Sequence, residues 1–384
     1  GKGQVQGWAN FKVPNEKIKW EEVHQTDIGV DLGFLNNRLT VTYDYYNRQT
    51  KDMLYWRIVP LASGIGYYTD MNTKMPINIG KVENIGHEIS VTWNDRRGGF
   101  NYMVGVNASF NRNKVRQLGE EGAAPLVYGI NRTENGKAMG LLYGYKAVGI
   151  FQSQEQVDEY NAKAQAMGRN YYWKEKTGVG DLIYDDCGKG YVDESCQTYI
   201  GNPWPKMFYG INLKLEYKGF DLALLFQGAT GFDIYNGVKR YTQNFGDDGN
   251  TTKDIFKNSF FGENGLTDMP RCGTFDEENQ WVGDPSQNYS TVSSFWVESG
   301  NYLKLKNLVF GYSLPKNLLK KASIENVRVY FSASNLFTIT KYSGIDPEIA
   351  GTSNSGSQSV LERGVDRYDR YLPSRLISFG IDLT

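Results

Sequence analysis

A period of two runs through this chain from near its start to its last residues, and it limits the possible folds more than any other feature. In each run every second residue is aliphatic or aromatic and the residues between are small or polar, which is the pattern of a strand with two unlike faces. Leu39, Val41, Tyr43 and Tyr45 alternate with Thr40, Thr42 and Asp44; Ile89, Val91 and Trp93 alternate with Glu88, Ser90 and Thr92. The same holds for Tyr102, Val104, Val106 and Phe110, for Ile211, Leu213, Leu215 and Tyr217, for Val327, Val329 and Phe331, and for Ile377, Phe379, Ile381 and Leu383. The connections alternate too. Short turns are expected at Asn36-Asn37, Asn94 to Gly99 and Lys218-Gly219. Between them lie long segments, Thr50 to Gly86, Arg112 to Lys206, Gly231 to Gly300 and Thr338 to Arg375, too long for loops of a compact soluble domain. An all-β, antiparallel transmembrane barrel has this form, with short periplasmic turns, long extracellular loops, lipid outside and water inside.

Composition sharpens the choice. A chain of 384 residues would ordinarily make two or three soluble domains, but the unbroken alternation argues for one continuous sheet. Lys+Arg 42 against Asp+Glu 43 leaves a net charge of -1, so no bulk attraction for nucleic acid is expected. The longest apolar run is Leu222 to Phe226, far below the ~20 residues of a spanning helix. Tyr43, Tyr45, Tyr46, Tyr102, Phe110, Tyr217, Phe220, Tyr302, Phe310 and Tyr312 cluster at strand ends, as an interfacial girdle would. Leu314 to Glu325 reads as one or two helical turns, with Lys320 and Lys321 on a solvated face. The rival architecture is a secreted β-sandwich that binds glycans, with the apolar rows packed into a dry core.

Catalysis finds little support. The only histidines, His24 and His87, lie far apart, which removes histidine-rich metal sites and most triads. Glu120-Glu121, Asp247-Asp248 and Glu277-Glu278 are adjacent acids in polar loops, the pattern of solvated surface rather than of a paired-acid glycosidase. Gly64-Ile65-Gly66 lacks the strand and helix a phosphate loop needs. No enzyme activity and no cofactor or metal is expected.

Seven segments carry a resemblance. KWEEVHQTDIGVDLGFLNNRLTVTYDYYNRQTKDML from Lys19 to Leu54, NIGKVENIGHEISV from Asn78, GNPWPKMFYGINL from Gly201 and FQGATGFDIYN from Phe226 are followed by FWVESGNYLKLKNLVFGYSLP from Phe295, SASNLFTITKYSGIDPEI from Ser332 and YLPSRLISFGIDL from Tyr371. In this order they resemble the barrel of SusC-like TonB-dependent outer-membrane transporters. The resemblance implies a 22-stranded barrel of which residues 1–384 form the C-terminal portion, with the N-terminal plug and the TonB-engaging segment outside this sequence. It implies outer-membrane localisation and TonB-driven import of oligosaccharides or peptides beneath a SusD-like surface lipoprotein. The family's last strand usually closes on an aromatic residue; this chain stops at Thr384, so residues are expected to be missing there, as they are before Gly1.

Within that frame the sequence nominates three groups of residues. DDCGKGYVDESC, Asp185 to Cys196, follows calcium-loop spacing, and the corresponding family stretch is often acidic in this way. Here the third position is Cys187, the fifth Lys189 and the twelfth Cys196, a poor donor set for a hard cation. Convergence of the third and twelfth positions at an oxidising cell surface instead predicts a Cys187–Cys196 disulfide, leaving Cys272 as a buried or capped thiol. Trp173, Trp204, Trp281, Tyr289 and Trp296 lie in the long excursions and are candidates to touch substrate or the lid. Asp44, Glu88, Lys214, Glu216, Lys304 and Lys306 fall on the polar side of their strands and are expected to line the lumen.

Overall fold

In a computed structural model, the structure describes residues 14–58, 74–119, 123–244, 251–265, 268–276, 278–319, 324–348, 361–367 and 372–383. Gly64 to Gly66, Glu120-Glu121, Asp247-Asp248, Glu277, Lys320-Lys321 and Thr384 therefore lie outside the described residues.

Nine strands form one antiparallel sheet in simple chain order: β1 Glu22–Phe34, β2 Leu39–Ile58, β3 Lys74–Arg97, β4 Phe100–Leu118, β5 Met207–Tyr217, β6 Phe220–Thr230, β7 Tyr302–Ser313, β8 Val327–Thr340 and β9 Leu376–Leu383. Each pairs only with its neighbours in this list. Among the described residues β1 and β9 do not pair with each other, so the sheet has two free edges. Its turns at one end are tight. Asn36 and Asn37 have φ of 57° and 61°, and Lys218-Gly219 has 49° and 87°, the left-handed values a two-residue hairpin turn requires. The β3–β4 turn is narrower than the sequence suggests: the strands run to Arg97 and from Phe100, leaving only Gly98 and Gly99. The β7–β8 link holds a single helical turn, Lys316–Leu319.

The registers join the apolar residues of neighbouring strands into continuous rows. Val41 pairs with Leu32 and Val91, Val91 with Val106, Val106 with Ile211, and Ile211 with Phe226. At the far edge Phe331 pairs with Phe379 and Val329 with Ile381. Among the described residues no second sheet covers these rows. Ile28 is 64%, Val106 44%, Phe310 45% and Phe379 81% exposed. A sandwich would have buried them, so the rival architecture fails on this observation. On β4 the row from Tyr102 to Phe110 covers eight residue steps, about 27 Å along the strand at ~3.4 Å each. At a barrel tilt of about 40° that gives about 21 Å of height, close to the ~25 Å apolar band of an outer-membrane barrel.

Tyr302, buried and on the Lys304 side of β7, departs from the expected girdle, and so does Tyr46. Tyr46 pairs with Gly86 and lies on the opposite face, its ring over the glycine, where an added Cβ would come within 2.3 Å of the ring and 2.5 Å of the Phe110 carbonyl. The strands are also longer than the alternation: β2 continues to Ile58, β3 begins at Lys74, and β4 runs to Leu118.

The long connections are folded bodies rather than loose loops. The connection between β4 and β5 carries α1, Gln154–Ala166, whose start is capped by Ser153 accepting from the Gln156 N–H; Gly168, φ 78°, follows its end. Its inner face packs Val157 and Ala164 into a cluster with Phe151, Tyr172, Leu182 and Tyr184. The connection between β6 and β7 carries α2, Gly237–Gln243, and α3, Lys253–Asn258, around Tyr235, Ile255, Tyr289 and Trp296.

Candidate functional site

The two connections are braced against each other on the long-loop side of the sheet. Asp181, fully buried, accepts Arg271 Nε at 2.7 Å and Nη2 at 2.6 Å, Asn288 Nδ2 at 2.7 Å and the Gly178 N–H at 2.7 Å. Asn288 Oδ1 in turn accepts the Leu182 N–H at 2.8 Å, and Trp173 Nε1 donates to the Ser286 carbonyl at 2.9 Å. The result is one roof built from residues about a hundred positions apart. Burial raises the Asp284 carboxyl above its ordinary value, against the Tyr289 and Ser290 N–H groups that donate to it.

A second anchor ties the roof to the segment after β8. Glu298 accepts the Ser343 N–H at 2.8 Å, the Ser343 hydroxyl at 2.7 Å and Asn236 Nδ2 at 3.2 Å, with Lys239 Nζ at 3.4 Å. Burial alone would raise its carboxyl; the Ser343 donors and the Lys239 charge outweigh it and hold the group below the usual glutamate value. A carboxylate with a lowered folded pKa stabilises fully above its unfolded pKa and loses that contribution as pH falls through the folded one. Protection of the Ser343 amide from hydrogen exchange should therefore hold above about pH 5 and fall as the medium is acidified below about pH 4.5. Glu298→Gln should flatten that dependence, and Glu298→Ala should cost about 2 kcal/mol locally.

The structure places the sequence-nominated aromatics unevenly. Trp296 and Tyr289 are completely buried, tilted against each other at 5.7 Å, with the Tyr289 hydroxyl donating to the Pro270 carbonyl at 2.9 Å. They serve as core of the roof and present no face to a ligand in this arrangement. Trp173 packs edge-on to Tyr145 at 5.0 Å and Tyr184 at 5.2 Å. Trp204 donates through Nε1 to the Met139 carbonyl and lies under Arg363 at 4.1 Å. Trp281 is 52% exposed beside Phe275 and is the one of the five with most surface free.

The six polar candidates fall together. Asp44 pairs with Glu88, and Glu88 with Ser109. On the same side of β4, Met103 pairs with Lys214 and Asn101 with Glu216. Further round, Gln227 pairs with Lys304. Lys306 is the extra residue at the β7 bulge, and its ammonium reaches the same carboxylate as Lys304. Lys304, 1% exposed, donates to Asp346 at 2.7 and 2.9 Å and to Glu348 at 2.9 Å; Lys306 donates to Glu348 at 2.8 and 3.0 Å. Both lysines are thus matched to acids of the segment after β8, whereas Lys214 stays exposed. Sequence reasoning missed these partners, although the spacing of Asp346 and Glu348 mirrors that of Lys304 and Lys306.

The cysteine loop is closed. Cys187 and Cys196 are joined by a disulfide, and the Lys189 ammonium sits among Asp193 Oδ1 at 3.2 Å, Asp193 Oδ2 at 3.3 Å and the Ser195 hydroxyl. The Ser195 hydroxyl, then Lys189, lower the Asp193 carboxyl. At the fifth position of the cation-loop pattern, where a ligand for a cation is expected, the chain thus carries its own ammonium, bonded to the loop's oxygens. Cys272 is buried. Cys187→Ser should cost about 2.5 kcal/mol of loop stability, read as earlier proteolytic cutting between Asp185 and Gln197, with the sheet unaffected.

Residues 3–138 match a family model described as TonB dependent receptor-like, beta-barrel. TonB-dependent receptor P3 of Formosa agariphila is 32% identical over 394 residues, covering 100% of this chain and 36% of that protein. TonB-dependent receptor SusC of Bacteroides thetaiotaomicron is 27% identical over 345 residues, covering 88% of this chain and 30% of SusC. The chain thus spans about a third of the length of the curated relatives it matches. Among solved structures, one titled as the RagAB peptide transporter superposes with a TM-score of 0.72 at 24% identity, over 97% of this chain and 36% of that one; it supports the fold. An antiparallel sheet with its apolar rows bare on one side and its charged rows gathered on the other, over a chain that aligns throughout with such receptors, agrees with the barrel of that family. The chain belongs to the TonB-dependent receptors and forms a C-terminal portion of the transmembrane β-barrel of a SusC-like member.

Proposed function

We propose that the protein containing this chain is an outer-membrane importer, and that this portion supplies wall and roof to the conduit rather than a catalytic centre. The observation that carries the reading is the segregation of the sheet's two faces: rows such as Ile28, Val106 and Phe310 lie bare on one side, while Asp44, Glu88, Lys214 and Glu216 share the other. A wall of this kind can be stable only with hydrocarbon on its apolar side and water on its polar side.

The energy for import would come through TonB, engaged by a segment outside this sequence together with a plug. A SusD-like lipoprotein would close the roof from above, and the cargo would be an oligosaccharide or a peptide. The match to TonB-dependent receptor SusC supports the TonB-driven reading, and the neighbour titled as the RagAB peptide transporter supports a peptide as one of the two cargoes. Trp281 is the aromatic best exposed to meet lid or cargo, since Tyr289 and Trp296 are internal. The test uses the full-length protein. Affinity purification from outer-membrane fractions should recover a lipoprotein, and growth on the ligand found in that complex should require both the receptor and TonB. Recovery of the full-length protein from the soluble fraction without detergent would falsify the reading.

A further inference from the structure

The apolar face of the wall ends unevenly at its long-loop side. On β1 the row passes from Ile28 to Thr26 and His24, and on β2 from Tyr45 to Asn47 and Gln49, with no Lys or Arg among them. On β4 the row ends at Phe110, and the next two positions on the same face are Arg112 and Lys114, registered against Ile85 and Glu83 of β3. By the spacing of alternate residues they stand about 7 Å apart along the strand. Above Phe110 the strand also parts from β5, whose pairing with β4 stops at Met207. The gap is a cleft of about 1000 Å³.

Five cations line this cleft and all are exposed: Arg112, Lys114, Arg116, Lys137 and Lys206. Lys137 arrives on the short segment that bonds beside Val115, and Lys206 on the approach to β5. The lining contains one carboxylate, Glu83, and Arg116 already holds it, with Nε to Oε2 at 2.7 Å. Lys137 lies over the Tyr199 ring at 5.1 Å. Among the described residues, Arg112, Lys114 and Lys206 have no ion-pair partner, although the chain as a whole is nearly neutral. Positive charge is thus concentrated at the height where the apolar band stops, with Arg112 and Lys114 on the apolar side of β4 and Lys206 at the gap beside them.

We propose that this cleft binds the phosphorylated headgroup of an outer-leaflet glycolipid, whose acyl chains lie down the wall along Phe110, Val106 and Val104. The proposal rests on the outer-membrane reading above. The Arg112 guanidinium offers the paired N–H geometry that a phosphate accepts, and Lys114 and Lys206 add compact charges around it. The exposed apolar row directly beneath favours a lipid over a free anion, because a headgroup tethered to hydrocarbon satisfies both surfaces at once. Bound lipid of this kind would also fix the depth of the β3–β4 wall in the membrane.

The test uses the full-length receptor in phosphatidylethanolamine nanodiscs doped with diphosphorylated, monophosphorylated or dephosphorylated lipid A, with retained lipid counted by native mass spectrometry. The wild type should retain lipid A in the order of its phosphate content. The triple variant Arg112→Gln, Lys114→Gln, Lys206→Gln should retain the diphosphorylated form more than about tenfold less, at roughly fivefold per cation in low salt. Its phosphatidylethanolamine should stay unchanged, and its folded mobility on unheated gels should be kept. Restoring Arg112 alone should recover part of the loss. Equal retention by the triple variant would overturn the proposal, as would release of the lipid by pyrophosphate at concentrations comparable to those of lipid A, which would mark the cleft as a site for soluble anions. Fractionation of the same proteins separates this failure from failure of the transporter reading: a receptor outside the outer membrane sinks both, whereas a correctly placed receptor with unchanged lipid retention sinks this proposal alone.

Discussion

Leu213→Arg should sharply reduce the amount of folded full-length receptor in the outer membrane, while Lys214→Glu, one residue along, should leave it close to wild type. Leu213 stands near the middle of the β5 apolar row, paired with Val104 on one side and Leu224 on the other. A cationic side chain at mid-depth on the lipid face costs about 2–4 kcal/mol. Lys214 projects to the face shared with Glu216 and Met103, where it is exposed and already charged. Exchanging its sign alters the field on the polar side of the sheet and leaves the apolar side untouched. The measurement is the fraction of heat-modifiable receptor in purified outer membranes. Equal losses for the two variants would mean that the faces have been assigned wrongly.

The second large effect is expected at Asp181. Asp181→Ala would leave the guanidinium of Arg271, itself only 7% exposed, without its carboxylate in the interior of the roof. It would also strand Asn288 and the Gly178 N–H. Breaking a buried ion pair on one side costs about 3–5 kcal/mol. Hydrogen exchange should rise together in residues 178–182 and 271–290, with the nine-stranded sheet unchanged. The double replacement Asp181→Leu, Arg271→Met should recover much of the loss, because it removes the orphaned charge as well as the pair. If Asp181→Ala loosened only one of the two connections, the brace described here would not be what joins them.

The parts of this structure that could be read from sequence are those that lipid acts on. Ile211, Leu213 and Leu215 alternate with Asn212 and Lys214 because one side must be apolar and the other polar. Beyond the apolar band that demand ends, and the pattern ends with it. On β2, Asn47 and Gln49 lie on the apolar side and Arg48 on the other, so both faces are polar and nothing in the sequence marks the strand's continuation to Ile58. The helix α1 left a local signature in Ser153, Gln156 and Gly168, but it lay inside a stretch that looked like loop because its length exceeded any hairpin.

The candidate residues divide along the same line. Which side of a strand carries Asp44 or Lys214 follows from counting by twos. The partners of Lys304 and Lys306 lie some forty residues downstream, and only the fold brings Asp346 and Glu348 back to them. For the aromatics, residue type was informative and position was not. Tyr289 and Trp296 have the composition of a sugar platform, yet the roof uses them as filling. The cysteines were legible because a short loop leaves two thiols few other places to be.

The brace at Asp181 has a mechanical corollary. Two surface excursions that share a buried charge pair, an asparagine relay and an indole cannot swing independently; prising one outward means tearing the other. In the importer proposed above, motion admitting cargo would then be borne by segments hinged elsewhere, and Asp181→Ala, which loosens both excursions together, would be the natural starting point for engineering a conduit whose mouth yields to bulkier freight.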